Sequence, residues 1–221
     1  MLSSAAIQLI AIISMTFDHI GLYLLDGFIP FRIIGRLAFP LFALMLVEGF
    51  RHTSSRKKYL LRIVITAFVS VLPCFILSTM TKIEYVPNVL FTLAFSLLAL
   101  MLAERGGLAL VALPFVALLP GVLNCEYGTH GVLLVLGFYY AGRIFANSQI
   151  LRIASQAVVL AAMMFSLAHF NGWGIISLGV IAIIPIALYS GKKGKRLPRL
   201  FGYIYYPSHL FVILFIKLFL Y

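Results

Sequence analysis

The sequence predicts an all-α, polytopic transmembrane bundle of about nine spans with a cytoplasmic N-terminus, forming one domain over residues 1–221. Three observations predict it. Of the 221 residues, 63% are hydrophobic and only 10% charged, with a mean hydropathy of +1.10; a soluble domain this size must show water a more polar outside. Apolar runs of about 18 residues or more, the length of a bilayer-crossing helix, recur from end to end. The basic residues fall on alternate loops, as the positive-inside rule requires.

Punctuation divides the chain into spans at 5–25, 33–51, 60–79, 87–104, 107–123, 130–146, 150–168, 173–189 and 201–219. The first run lacks a charged leader and holds Asp18 and His19, so it does not read as a removable signal peptide. In the second, Pro40 is expected to free a carbonyl and kink the helix. Pro114 interrupts the fifth, and Pro207 opens the last. With the N-terminus inside, the cytoplasmic loops receive 13 of the 17 Lys and Arg residues, including Arg51, Arg62, Lys192, Lys193, Arg196 and Arg199. The outer side receives four, Arg32, Arg36, Lys82 and Lys217, and an odd span count puts Tyr221 outside. The net charge of +11 is therefore read as orientation in a bilayer, with no nucleic-acid partner. Cys74 and Cys125 have no metal spacing and read as buried thiols, with a disulfide left open. No internal repeat of the transporter kind is visible.

Ionisable side chains inside lipid cost roughly 2.5–3.5 kcal/mol on insertion scales, so they are where function is sought. Asp18 and His19 lie in MTFDHIGLYL. Thr16, His19, Tyr23 and Asp26 share one helical face, which should line a cavity. A carboxylate fixes a histidine's tautomer and raises its basicity, although Asp18, about 100° from its neighbour, serves another helix equally well. The plainer alternative is a polar pair gluing helices together. Arg36, on one face with Arg32, needs an anion such as Asp18, Asp26 or a substrate. His209 lies in YIYYPSHLFVILF and can face the cavity of His19 or merely pack. Tyr203, Tyr205 and Tyr206 read as packing aromatics, with Tyr205 also a candidate substrate contact. Asn88 and Thr92, four apart, can hydrogen-bond a substrate or a neighbouring helix. Glu48 is expected to pair with Arg51 and His52, while Glu126, His130 and His169 read as solvated ends.

Seven pieces, in order along nearly the whole chain, resemble the TraX family. They are DHIG from Asp18, GRLAFPLF from Gly35 with the following EGF, KYLLR from Lys58, NVLFTL from Asn88, YGTHGV from Tyr127, GKKG from Gly191 and YYPSHL from Tyr205. The namesake of that family acetylates the N-terminus of pilin subunits. The family is in turn similar to integral-membrane acyltransferases that use an essential histidine near the first spans, matched here by His19. The resemblance implies an acetyltransferase of the cell (inner) membrane. Acetyl-CoA would be the cytosolic donor, and the acceptor a peptide, a pilin-like protein or a surface glycan. His19 would act as general base, with Asp18 or Asp26 holding its imidazole and Arg36 or Asn88 polarising the thioester carbonyl. Asp18, His19 and Arg36 are the implied catalytic residues. Asp26, Asn88, Thr92, Tyr205 and His209 are the implied substrate contacts, and Arg62, Lys192 and Lys193 hold CoA phosphates. No metal is implied, and a homodimer is compatible with this reading. The competing reading is a proton-coupled transporter or exporter, which explains buried His, Asp and Arg equally well. A hydrolase has less support, since no G-x-S-x-G elbow or HExxH site is present.

Overall fold

A computed structural model describes residues 1–171, 174–195, 198 and 200–220. Arg196, Arg199 and Tyr221 lie outside the described residues. Helices make up the fold, in the order α1 (Ser4–His19), α2 (Ile29–Gly35), α3 (Ala38–His52), α4 (Arg56–Thr81), α5 (Val89–Arg105), α6 (Ala109–Val122), α7 (Gly128–Ile144), α8 (Gln149–Asn171), α9 (Ile183–Ala187) and α10 (Phe201–Leu220). A π turn, Ile20–Leu24, continues α1, and a 3-10 segment, Ile175–Ala182, leads into α9.

Local chemistry sets several boundaries. Ser3, Ser55 and Asn88 cap α1, α4 and α5, each side chain accepting from a first-turn N–H. The expected kink at Pro40 is corrected: the break falls earlier, between Gly35 and Ala38, and Pro40 sits in the first turn of α3, where no N–H partner is needed.

Five of the predicted segments are helices long and apolar enough to cross a membrane: Ser4–Leu24, Ile29–His52, Arg56–Thr81, Gln149–His169 and Phe201–Phe219. The other four predicted segments are shorter: α5 and α7 have 17 residues, α6 has 14, and the described part of 173–189 holds the 3-10 segment Ile175–Ala182 followed by α9. The long helices show an apolar face outward. On α4, Leu61, Ile65, Phe68, Leu72 and Phe75 are each more than half exposed, as a lipid-facing stripe requires. Inside, α1 packs on α3, α3 on α7, α5 between α4 and α7, and α10 on α4. The main core surrounds Leu41, Leu97, Leu100, Leu134 and Phe138, all fully buried. A second cluster, with Met15, Tyr23, Leu77, Tyr206 and Leu210, joins α1, α4 and α10. That junction holds the histidines.

Candidate active site

Asp18 and His19 are neighbours on α1, about 100° apart, and so face different helices. Asp18 faces α2. Its Oδ2 lies 2.7 Å from Arg32 Nη1 and its Oδ1 lies 2.5 Å from Arg36 Nη2. Arg36 Nε also donates to the Arg32 carbonyl at 3.3 Å. Asp18 is 7% and Arg36 5% exposed, so this ion triad sits inside the protein with one positive charge in excess. Gly35 permits the approach, because a methyl group there would occupy the space of the Asp18 carboxylate.

His19 faces α10. Its Nδ1 lies 2.7 Å from His209 Nε2, with the ring planes 9° apart. His209 Nδ1 lies 3.0 Å from the Tyr205 carbonyl. The Tyr205 ring stacks on His209 with centroids 5.3 Å apart, and its hydroxyl lies 2.8 Å from Thr16 Oγ1. Tyr206 stands edge-on to both histidines. The face Thr16–His19–Tyr23 thus meets α10 and its surroundings, but Asp26 leaves it. The helix widens into the π turn and stops, and Asp26 takes a left-handed conformation with its side chain 86% exposed, 3.8 Å from Lys217. The expectation that Asp18 or Asp26 holds the His19 imidazole is therefore corrected: the arginines take Asp18, the chain turn removes Asp26, and the partner is His209. Arg32, read only as sharing a face with Arg36, and Tyr206, read as a packing aromatic, are the neighbours not expected among the site residues. The i,i+4 spacing of Arg32 and Arg36 carried the signal for the first.

Three cavities lie in tandem through this site. One of about 350 Å³ begins among Ser4, Glu48, His52 and Lys193 and ends at Met15, Phe42, Val89 and Tyr206. Those last four also line a space of about 30 Å³ against Asp18, His19 and Gly35. Glu126 and Tyr127 bound that space and a further cavity of about 410 Å³, shared with Arg36, Asn124, Thr129 and His130. Glu126, expected at a solvated end, is thus half-buried between the two. Burial raises its carboxyl above the ordinary carboxylate range, and the Arg36 guanidinium opposes that rise.

Other candidates are placed elsewhere. Asn88 caps α5 through Oδ1 and donates from Nδ2 to the Ala67 carbonyl at 3.1 Å, tying α5 to α4. Thr92 donates to the Glu126 carbonyl at 2.6 Å and so anchors the turn that carries Glu126. Both are spent on backbone rather than aimed at His19, which corrects their expected contact with substrate. Arg62 lies over the Tyr203 ring, and its buried Nε has no hydrogen-bond partner among the described residues. Lys192 and Lys193 are exposed, and their carbonyls accept from Ser4 and Ala5 N–H at the start of α1. Glu48 pairs with Arg51 and His52 and accepts from the Tyr189 hydroxyl. Cys74 and Cys125 are free and buried. Among the described residues no group of three or more His, Cys, Asp or Glu side chains converges as metal ligands would.

The family model for TraX protein matches residues 3–217. A curated relative, the probable fimbrial assembly protein FimC (serogroup H1) of Dichelobacter nodosus, is 33% identical, the match covering 99% of this chain and 97% of that protein. No solved structure matches the chain.

Proposed function

The chain belongs to the TraX family, and from that premise we propose that it is a multi-pass acetyltransferase of the cell (inner) membrane, moving acetyl from cytosolic acetyl-CoA to an amine or hydroxyl. The observation that carries the reading is the tandem cavity. Its three spaces share walls in sequence, from the Lys193 end to the one that His19 lines and on to the one beyond Glu126. From Ser4 to Met15 the first cavity follows α1 for about 16 Å, by the rise of the helix. Its wall is apolar at depth, where a thioester arm would lie. Its mouth has Lys193, with Lys192 adjacent, both suited to phosphates, and Arg62 lies on the neighbouring α4, where its Nε is buried and has no hydrogen-bond partner among the described residues.

His19 would supply the base. Its Nε2 makes no bond among the described residues, while its ring lines the central space. It would take the proton of the acceptor N–H or O–H as that atom attacks the thioester carbonyl, and then return it to the departing thiolate. Such a base is worth on the order of 10²–10⁴-fold. The Asp18–Arg32–Arg36 cluster would contribute the excess positive field that favours the oxyanion. The far cavity would admit the acceptor. The name of the FimC relative favours a pilin-like protein, and a surface glycan is the alternative.

The nine-crossing topology with the N-terminus inside belongs to the same proposal, supported by the 13-to-4 distribution of basic residues. The test is thiol release and acetyl transfer by purified protein given acetyl-CoA. Activity in wild type and its loss, by 10²-fold or more, in His19→Ala is the expected result. Equal rates in the two proteins would remove His19 from the mechanism. A proton flux into liposomes that needs His19 and proceeds without acetyl-CoA would favour the transporter instead.

A further inference from the structure

We infer that His209 is the positioning residue of this site: it fixes His19 in the tautomer whose Nε2 holds the lone pair, and it shares the charge when that nitrogen is protonated. The role rests on the acetyltransferase reading for what His19 does, while the hydrogen-bond chain behind it stands on geometry alone.

A carbonyl oxygen can only accept. The 3.0 Å contact between His209 Nδ1 and the Tyr205 carbonyl therefore requires a hydrogen on Nδ1. In a neutral ring the other nitrogen, Nε2, is then bare. It can only accept, so across 2.7 Å the donor is His19 Nδ1–H. His19, neutral in turn, has its lone pair on Nε2, in the ring that lines the central space. A backbone carbonyl of α10 thus dictates, through two imidazoles, which nitrogen of His19 can act as a base.

The opposite arrangement needs a cationic His209. It would donate from both nitrogens and leave His19 with a hydrogen on Nε2 and no base toward the cavity. That cation would be buried, since His209 is 7% exposed. The Asp18–Arg32–Arg36 cluster beside His19 already has one positive charge in excess. Asp18 is taken by the arginines, Asp26 stands at an exposed turn with Lys217, and Glu126 lies on the α7 side of the central space. The aromatic rings around the pair, Tyr23, Tyr205 and Tyr206, bring no carboxylate. With no carboxylate paired to it among the described residues, the neutral ring is the favoured form.

The surroundings hold His209 in this pose. Tyr205 stacks on one side with planes 12° apart, Tyr206 stands edge-on, and Thr16 pins the Tyr205 hydroxyl. During transfer the proton bookkeeping closes. His19 Nε2 gains the acceptor's proton, the Nδ1 proton moves toward His209 Nε2, and His209 Nδ1–H stays on the carbonyl. The reverse movement accompanies return of the Nε2 proton to the leaving thiolate. A neutral imidazole here does what a carboxylate does for the histidine of a hydrolase triad.

The test is nitrogen NMR of the full-length protein in detergent micelles, labelled with 15N-histidine, with the His19 signals identified by their absence from His19→Gln. Wild type should show His19 protonated at Nδ1 and bare at Nε2. His209→Gln, whose amide oxygen can accept the same bond, should keep that pattern. His209→Ala should lose it for a mixture of tautomers. His209→Phe, which keeps the ring volume but has no acceptor, takes its place if the alanine variant fails to fold. A wild-type His19 protonated at Nε2, or an unchanged His19 in both variants that lack the acceptor, overturns the inference. Thiol release from acetyl-CoA adds a second reading. It should fall on the order of 10²-fold in kcat for His209→Ala or His209→Phe, less for His209→Gln, with KM unchanged. Should the tautomer respond as expected while no protein releases thiol, the acetyltransferase reading fails and the positioning role stands. Should thiol release require His19 while its tautomer ignores His209, the positioning role fails and the enzyme stands.

Discussion

Asp18 is the one carboxylate among the described residues that pairs with Arg32 and Arg36, and removing one partner of a buried ion cluster costs more than the cluster contributes, because the remaining charge is left unpaired. Asp18→Asn keeps the side chain's shape and strands Arg36, which is 5% exposed, and Arg32 beside it. A loss of about 3–5 kcal/mol is expected, read as a lower apparent melting temperature in detergent. Adding Arg36→Met restores the wild-type excess of one positive charge, so the double variant should lose less than the sum of the single losses. Simple additivity would show that the two side chains do not couple. Glu126 offers the opposite sign. Its folded carboxyl titrates above the ordinary value of 4.5, so ionising it costs the fold free energy once pH exceeds that value. Glu126→Gln should therefore melt higher than wild type at neutral pH, with the gap closing as pH falls below about 4.5. A gap that persists in acid would trace to packing instead. Asp18, His19, Arg36 and His209 were legible because ionisable side chains inside apolar runs are rare and costly. Their partners were not. Sequence adjacency suggested Asp18 for His19, but the angle between neighbours on a helix sends the two side chains apart, and the 190 positions from His19 to His209 carry no local signal.

The elements around the site work through close approach. Gly21 admits Phe31 and the backbone of α2, and Gly35 admits the Asp18 carboxylate. Asp26 and Gly27, both with positive φ, turn the chain between them. Gly35→Ala must push Asp18 off its arginines or α2 off α1, at a cost of about 1–3 kcal/mol. Gly202→Ala, on α10, would meet only Gln8 Nε2 at 3.5 Å, an ordinary contact, and should leave the melting temperature unchanged or slightly raised. Equal melting behaviour for the two variants would argue that the α1–α2 contact is loose. At this scale the sequence was most readable where periodicity and punctuation agree. Span 5–25 corresponds to Ser4–Leu24 and span 201–219 to Phe201–Leu220. The break near Arg36 was displaced onto Pro40 because proline is the visible signal, although its missing N–H costs nothing in a first turn. The π turn and the 3-10 segment had no signature, since both depend on packing rather than on any residue type.

At the scale of the whole molecule, the helices that fail a simple length criterion are not peripheral. α5 and α7 are 17 residues each, about 25 Å, and they carry Leu97, Leu100, Leu134 and Phe138 at the centre of the core. Central helices are sheltered by the longer ones and need not match the full hydrocarbon thickness of roughly 30 Å. Segment 175–187 gains reach differently: eight residues of 3-10 helix at about 2.0 Å and five of α-helix at about 1.5 Å give about 23 Å. One end of each of these elements also gathers with basic or acidic side chains. Arg56 pairs with Glu104, Arg51 donates to the Tyr139 carbonyl, and Ser4 and Glu48 both meet Tyr189. Nine crossings and five crossings can be told apart at one loop. In both schemes the segment holding Lys192 is cytoplasmic and Asn124 is outside. With nine, α5, α6 and α7 all cross and Asn147 is cytoplasmic; with the five long helices alone, Asn147 is outside. Single cysteines at positions 124, 147 and 192, in a chain whose Cys74 and Cys125 are replaced by alanine, therefore decide between them. Under a membrane-impermeant thiol reagent applied to intact cells, Asn124→Cys should react, while Asn147→Cys and Lys192→Cys should react only after permeabilisation. Labelling of Asn147→Cys from outside would reduce the spans to the long helices, and labelling of Lys192→Cys would invert the protein. The second result alone would leave the Lys193 mouth of the first cavity without a cytosolic donor to receive, since that mouth is cytoplasmic with nine crossings and with five.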